Sequence, residues 1–216
     1  MGGAAPALSK GDRGGKPAVN LPIPRQRGDS PAPRTILAMV GTDVHRFDRL
    51  VDWLERWHVG RDAAAPEVRL VVQHGRSRAP RLPGAVPFLA HDELQRAMTE
   101  ADLVVCHGGP ATITEARRHG HLPIVVPRDP AHHEHVDNHQ QLFSRRLGAA
   151  GMVRLAESEA DLVEALDKGV ADPLTYALAA DPDRPDPRVA AATAVGRIVE
   201  DLVRASREPG RRRWWR

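Results

Sequence analysis

Leu103-Val104-Val105-Cys106 runs directly into His107-Gly108-Gly109-Pro110, and a helical stretch from Ala111 to His119 follows before Gly120. A strand, a glycine pair and a helix start form a natural anion site. The first-turn N–H groups of a helix lack internal partners, and the helix dipole is positive at that end. Gly108 and Gly109 let the backbone approach a phosphate with no Cβ between them. Pro110 suits the first helical position, where a missing N–H matters least. The other reading is that the glycine pair only turns the chain. Thr112 and Glu115 are also open to two readings. Thr-x-x-Glu is a capping-box pattern. Equally, an acidic residue there can accept hydrogen bonds from ribose hydroxyls.

Four further histidines, 132, 133, 135 and 139, stand beside Glu134 and Asp137. His135 and His139 have the i, i+4 spacing that can chelate a metal on a helix. The segment lacks the H-E-x-x-H pattern, however, and a polar ligand-side loop is the favoured reading. Ser77 and Ser144 have no nucleophile-elbow context. Cys106 ends an apolar strand and reads as a packing residue. Trp53 and Trp57 fit a core or a partner interface.

The elements that must position these groups alternate. Thr35–Val40, Val68–Val72, Leu103–Cys106 and Ile124–Val126 are continuous apolar runs, as in strands buried on both faces. Phe88-Leu89 and Met152-Val153 are shorter strand candidates. Phe47, Leu50, Val51 and Leu54 recur at helical spacing. Asp92 opens a helix with Gln95 as its capping partner. Residues 137–147 form a helix ended by Gly148, and residues 158–168 form another. Strand–helix alternation with short connections predicts an α/β fold: a Rossmann-like parallel sheet with helices on both faces.

The segments outside this pattern divide the chain further. Residues 1–33 read as a disordered basic arm, 34–170 as the folded domain and 171–188 as a proline-rich linker. Residues 189–206 read as a C-terminal helix with Val195, Ile198, Val199 and Leu202 on one face, and 207–216 as a basic, aromatic tail. The net charge of +3 divides unevenly: +4 in residues 1–34 and +5 in 204–216 leave −6 for 35–203. An acidic body argues against nucleic acid as a partner. The basic ends suit an anionic membrane surface or an acidic partner, or are simply solvated. One cysteine excludes an internal disulfide and fits a reducing, cytoplasmic compartment. No apolar run reaches the ~18–20 residues of a membrane span, and the N-terminus lacks a secretory signal.

Residues 107–115, His-Gly-Gly-Pro-Ala-Thr-Ile-Thr-Glu, resemble the donor motif of the glycosyltransferase family 28 C-terminal domain. Other segments match in order: Val40-Gly41-Thr42-Asp43 with Phe47-Asp48-Arg49-Leu50, then Gln73-His74-Gly75, Pro123–Arg128 and Glu134–Gln140. The resemblance spans about residues 35 to 165. It implies the donor-binding half of a GT-B glycosyltransferase, in the short form that resembles soluble donor subunits of two-part N-acetylglucosaminyl and exopolysaccharide transferases. His107 would then contact the donor phosphates and Glu115 the ribose, as the donor-side catalytic groups. Gly108, Gly109 and Thr112 would cradle the phosphates, with Gly41 and Thr42 beside them. Phe88 and Leu89 would pack the base. Gln140 would read sugar hydroxyls, with Asn138 or Gln141 helping. Ala111 departs from the glycine usual there, which is harmless only if its backbone is helical.

The resemblance further implies an inverting transfer of a hexose-type sugar from a UDP-sugar, with no cofactor and no metal. The helix N-terminus, Thr112 and a protonated His107 would stabilise the leaving diphosphate. The acceptor, lipid-linked, and the general base would belong to a separate membrane-bound subunit at the inner face of the cell membrane. Two alternatives stand beside this. One is a non-catalytic nucleotide-sugar sensor or scaffold. The other is a transferase that builds its acceptor cleft by dimerising.

Overall fold

The computed structural model describes residues 33–178 and 195–200. Strands are β1 (Arg34–Met39), β2 (Val68–Gln73), β3 (Gly84–Val86), β4 (Leu103–His107), β5 (Ile124–Val126) and β6 (Arg154–Leu155). Helices are α1 (Asp48–Val59), α2 (His91–Glu100), α3 (Pro110–Arg118), α4 (His139–Ala149) and α5 (Glu159–Ala171). All strand pairs are parallel, in the order β3-β2-β1-β4-β5-β6.

Successive strand residues point to opposite faces, and both faces are apolar here. Ile36, Ala38 and Val40 join Leu103, Val105, Ile124 and Val126 on one face, under α1 and α5. Leu37, Met39, Val104, Cys106 and Val125 line the other, under α2, α3 and α4. Leu50, Val51, Leu54 and Trp57 form the predicted buried stripe of α1. Trp57 Nε1 donates to Asp167 Oδ1 at 2.8 Å, tying α1 to α5. No helix among the described residues is long and apolar enough to cross a membrane.

The third strand is Gly84–Val86, not Phe88-Leu89. It pairs so closely with β2 that a Cβ on Gly84 would lie 2.2 Å from the Leu70 carbonyl oxygen. The last strand is Arg154–Leu155; Met152 and Val153 are instead buried in the core beneath α3 and α4. Helix α2 begins at His91 and is capped by Glu93, whose carboxylate accepts the Ala90 N–H at 2.8 Å. Gln95 therefore has no capping role. Helix α4 continues through Gly148, whose lack of a side chain lets it approach Leu155, and the chain turns at Gly151 with φ +67°.

The proline-rich stretch begins with structure of its own. Asp172 caps a 3-10 turn at Pro173–Tyr176, and Tyr176 is buried. Leu122 N–H donates to Tyr176 O at 2.8 Å, and Leu178 N–H to Gly120 O at 2.7 Å. Residues 195–200 are helical, with Val195 buried and Val199 exposed. The arm 1–32, the rest of the linker, Leu202 and the terminal tail lie outside the described residues.

Candidate functional site

β1 leads on to β2 on one side of the sheet, while β4 leads on to β5 on the other. The crevice between the carboxyl ends of β1 and β4 is therefore the switch point at which open parallel sheets bind ligands. Three segments meet there: the loop after β1, the β4–α3 turn, and the stretch from Arg128 to α4.

His107 is the centre of this crevice. Its Nδ1 accepts the Gly109 N–H at 3.1 Å. A neutral imidazole with Nδ1 as acceptor carries its proton on Nε2. Nε2 lies 3.4 Å from Thr112 Oγ1. Burial pushes the His107 pKa down to about 4, aided by the charge of Arg128 and opposed by the Gln140 side chain and Asp43. The imidazole is therefore neutral near pH 7, contrary to the expected protonated form, and offers one N–H donor.

The glycines serve this ring. A Cβ on Gly109 would stand 2.2 Å from His107 Cε1, and one on Gly41 2.9 Å from Nε2. Gly41 also has φ +94°, a conformation that favours glycine. Gly108 faces α4: a Cβ there would be 2.7 Å from Ser144 Oγ and 3.1 Å from the Gln140 Cβ. The absent side chains thus let an imidazole and a helix close in.

Gly109 is the N-cap of α3, with Pro110 at the first helical position. Thr112 is therefore the third helical residue, and Thr112-Ile113-Thr114-Glu115 is not a capping box. Ala111 lies in the helix and is not among the residues of positive φ, so its methyl group fits. Glu115 Oε1 accepts from Gln95 Nε2 at 2.8 Å, and Oε2 from Arg118 at 3.3 Å. Burial is the largest single influence and raises its pKa, but these hydrogen bonds and charges together hold it below the usual carboxylate range. Gln95 Oε1 also lies 2.8 Å from His119 Nε2, so the acid is held in a three-residue group.

Gln140 is buried, and its Oε1 has no hydrogen-bond partner of good geometry; the same holds for Ser144 Oγ nearby. An unsatisfied buried acceptor beside a crevice is suited to a ligand hydroxyl. Asn138 and Thr42 are exposed at the rim, and Gln141 is half-buried. Phe88 is exposed, while Leu89 is half-buried against the core and donates its N–H to Gln73 Oε1 at 2.9 Å. Burial pushes the Cys106 thiol up to about 12, which leaves it without nucleophilic character near neutral pH.

Arg128 is a residue whose importance the sequence did not reveal. It is 1% exposed, and its guanidinium donates to Val40 O at 2.8 Å, His45 O at 2.7 Å and Glu134 O at 2.9 Å. Its plane also lies 5.1 Å from the Phe47 ring centroid. One side chain thereby joins the β1 loop to the loop before α4. Glu134, 2% exposed, receives Arg49 at 2.7 Å and the Asp129 N–H at 2.8 Å. The signal that could have found Arg128 is its position, a lone arginine just after a fully apolar strand.

The sequence matches the glycosyltransferase family 28 C-terminal domain over residues 35–192. Two curated relatives are transferases named UDP-N-acetylglucosamine--N-acetylmuramyl-(pentapeptide) pyrophosphoryl-undecaprenol N-acetylglucosamine transferase. The protein from Chromohalobacter salexigens is 34% identical over 120 residues, 54% of this chain and 31% of the relative. The one from Lawsonia intracellularis is 32% identical over 123 residues, 56% of this chain and 32% of the relative. The matched stretch thus covers about a third of the length of either. Among solved structures, MurG of Acinetobacter baumannii superposes with a TM-score of 0.52 at 18% identity, covering 82% of this chain and 51% of MurG. That likeness is one of fold, and it matches the six-stranded parallel sheet to the C-terminal half of a GT-B transferase. On the sequence match, the chain belongs to the glycosyltransferase family 28 C-terminal domain family.

Proposed function

We propose that this chain binds the nucleotide-sugar donor of an inverting glycosyltransferase, and that a separate membrane-bound subunit holds a lipid-linked acceptor. The observation that carries the reading is the convergence, at the β1/β4 switch point, of the α3 N-terminus with an imidazole fixed as an Nε2–H donor. The curated relatives are named for transfer from UDP-N-acetylglucosamine, which favours a UDP-hexose-type donor here.

In this mechanism the acceptor oxygen forms a bond to the anomeric carbon as the bond from that carbon to the diphosphate breaks. The acceptor proton passes to a base on the partner subunit, and UDP leaves. Negative charge grows on the diphosphate. The Ala111 and Thr112 N–H groups, the Thr112 hydroxyl and His107 Nε2–H lie ready to stabilise it, each typically by a few kcal/mol, without a metal or cofactor. Glu115 accepts the ribose hydroxyls, and Gln140, with Asn138 and Gln141, reads the sugar. Gly41 and Thr42 border the phosphates, and Phe88 and Leu89 border the base. Val44 at 71% exposure and Val136 at 75% supply apolar contact on the flanking loops for the acceptor subunit.

Calorimetric titration with UDP, ADP, GDP and TDP in EDTA tests the reading, with Glu115→Ala in parallel. UDP-selective binding that weakens tenfold or more in the variant is the expected result. Absence of nucleotide binding, alone and with the co-purified membrane partner, overturns it in favour of a scaffold.

A further inference from the structure

Three side chains outside the donor-phosphate group converge on the loop before α4. His135 Nδ1 stands 3.5 Å from Asp137 Oδ1. His139 Nδ1 contacts the same oxygen. The candidate ligand atoms of the three residues all lie within 4.8 Å of one another. A tetrahedral centre with bonds of about 2.0–2.1 Å needs its ligands roughly 3.3 Å apart. The His135–Asp137 spacing already meets that, and rotation of the exposed His139 ring adjusts the third. His139 is the first residue of α4 and His135 lies in the loop, so the loop, not a helical turn, assembles the set.

The loop is held on both sides of the group. Glu134 is locked by Arg49 and by the Asp129 N–H, and Gln140 is buried. His135 is further packed between two rings: His139 edge-on at 4.6 Å and His45 at 5.8 Å. His45 Nδ1 is bonded in turn to Asp43 Oδ1 at 2.5 Å. Ligands supported by a fixed second layer are what a metal site requires.

The geometry points to a first-row divalent cation site formed by His135, Asp137 and His139. Two imidazoles and one carboxylate select zinc or cobalt over magnesium or calcium, whose preferred ligands are oxygens. Three protein ligands leave a position for water or an anionic oxygen, as in open zinc sites. Coordination through Nδ1 of His139 uses that nitrogen's lone pair, which places the ring proton on Nε2. The site uses none of the residues given to the donor phosphates.

The test uses the untagged full chain, stripped with EDTA and then freed of it. Zn2+ and Co2+ are titrated by calorimetry, and Co2+ also by its visible absorption. One equivalent should bind, with nitrogen-ligated Co2+ bands, while Mg2+ at the same concentrations gives no heat of binding. His135→Ala, Asp137→Asn and His139→Ala should each weaken binding at least tenfold, and His132→Ala should not. Circular dichroism melts establish that each variant is folded. No zinc binding at sub-millimolar concentration overturns the proposal, as does binding that all three variants retain. Because the nucleotide titration is run in EDTA, failure there and failure here are separate results.

Discussion

Gly109 donates its backbone N–H to Nδ1 of His107 at 3.1 Å, while the space its side chain would fill is taken by the same ring, 2.2 Å away. The two residues define each other. The bond fixes which nitrogen of His107 carries the proton, and the ring makes glycine obligatory at a position whose φ of −75° any residue could adopt.

Gly109→Ala should therefore act by collision rather than by backbone strain. A methyl group forced against a buried ring typically costs about 1–3 kcal/mol. Urea melts should report that loss, and UDP affinity should fall at least tenfold as the imidazole is displaced. Gly109→Ala with unchanged stability and affinity would show that the ring does not occupy that space.

His107 predicts a definite pH dependence. With a folded pKa of about 4 against an ordinary value near 6.5, the folded state binds fewer protons than the unfolded state between those values. Stability is therefore full above pH 6.5 and falls as pH drops toward 4. At pH 5 the loss relative to neutral pH amounts to about 2 kcal/mol. Urea melts at pH 5 and 7 should show this drop in the parent chain and a smaller one in His107→Gln.

Arg128→Met removes a buried cation but leaves three carbonyl oxygens without their donor. Breaking such a group from one side typically costs about 3–5 kcal/mol. Arg128→Lys should recover only part, because an ammonium cannot reproduce the planar fork. Chemical denaturation of both variants measures the difference, and equal stability of the two would refute a role for the fork.

Gln95→Ala should separate support from contact. Glu115 keeps its carboxylate but loses the 2.8 Å hydrogen bond that orients it. Nucleotide affinity should fall by roughly three- to tenfold, equivalent to about 0.7–1.4 kcal/mol, which is less than in Glu115→Ala. A Gln95→Ala loss equal to that of Glu115→Ala would mean that the carboxylate has no role of its own.

The sheet and its main helices were legible because burial on both faces writes continuous apolar runs, as in Ile36–Val40 and Leu103–Cys106. β3 was not, because an edge strand of Gly84-Ala85-Val86 carries little apolar signal and is fixed by its pairing to β2. The turn at Pro173–Tyr176 was hidden because it opens a proline-rich stretch, and what orders it is a distant partner, Leu122. The position of the candidate site was legible from His107 to Glu115, since strand, glycines and helix start adjoin in sequence. What was not legible is every relation that joins distant segments. The Gly41–His107 contact, the Gln95 support of Glu115 and the Arg128 brace connect residues that only the folded sheet brings together. The histidine spacing was visible, since His135 and His139 stand four apart, but their convergence with Asp137 depends on the loop before α4 and not on a helical turn.

The crevice lies between β1 and β4, and their pairing joins Ile36 to Leu103 across the whole of α1, β2, β3 and α2. Closing so long a loop is among the slower events in folding, and its entropy is lost before the contact forms. No fragment ending before β4 can hold any part of the β4–α3 turn, and one beginning after β1 lacks the strand against which that turn is set. Nucleotide binding, as proposed, would therefore report completion of the longest-range strand pairing in the sheet. Recovery of nucleotide affinity during refolding should not precede the β1–β4 pairing, and no intermediate that lacks this pairing should bind.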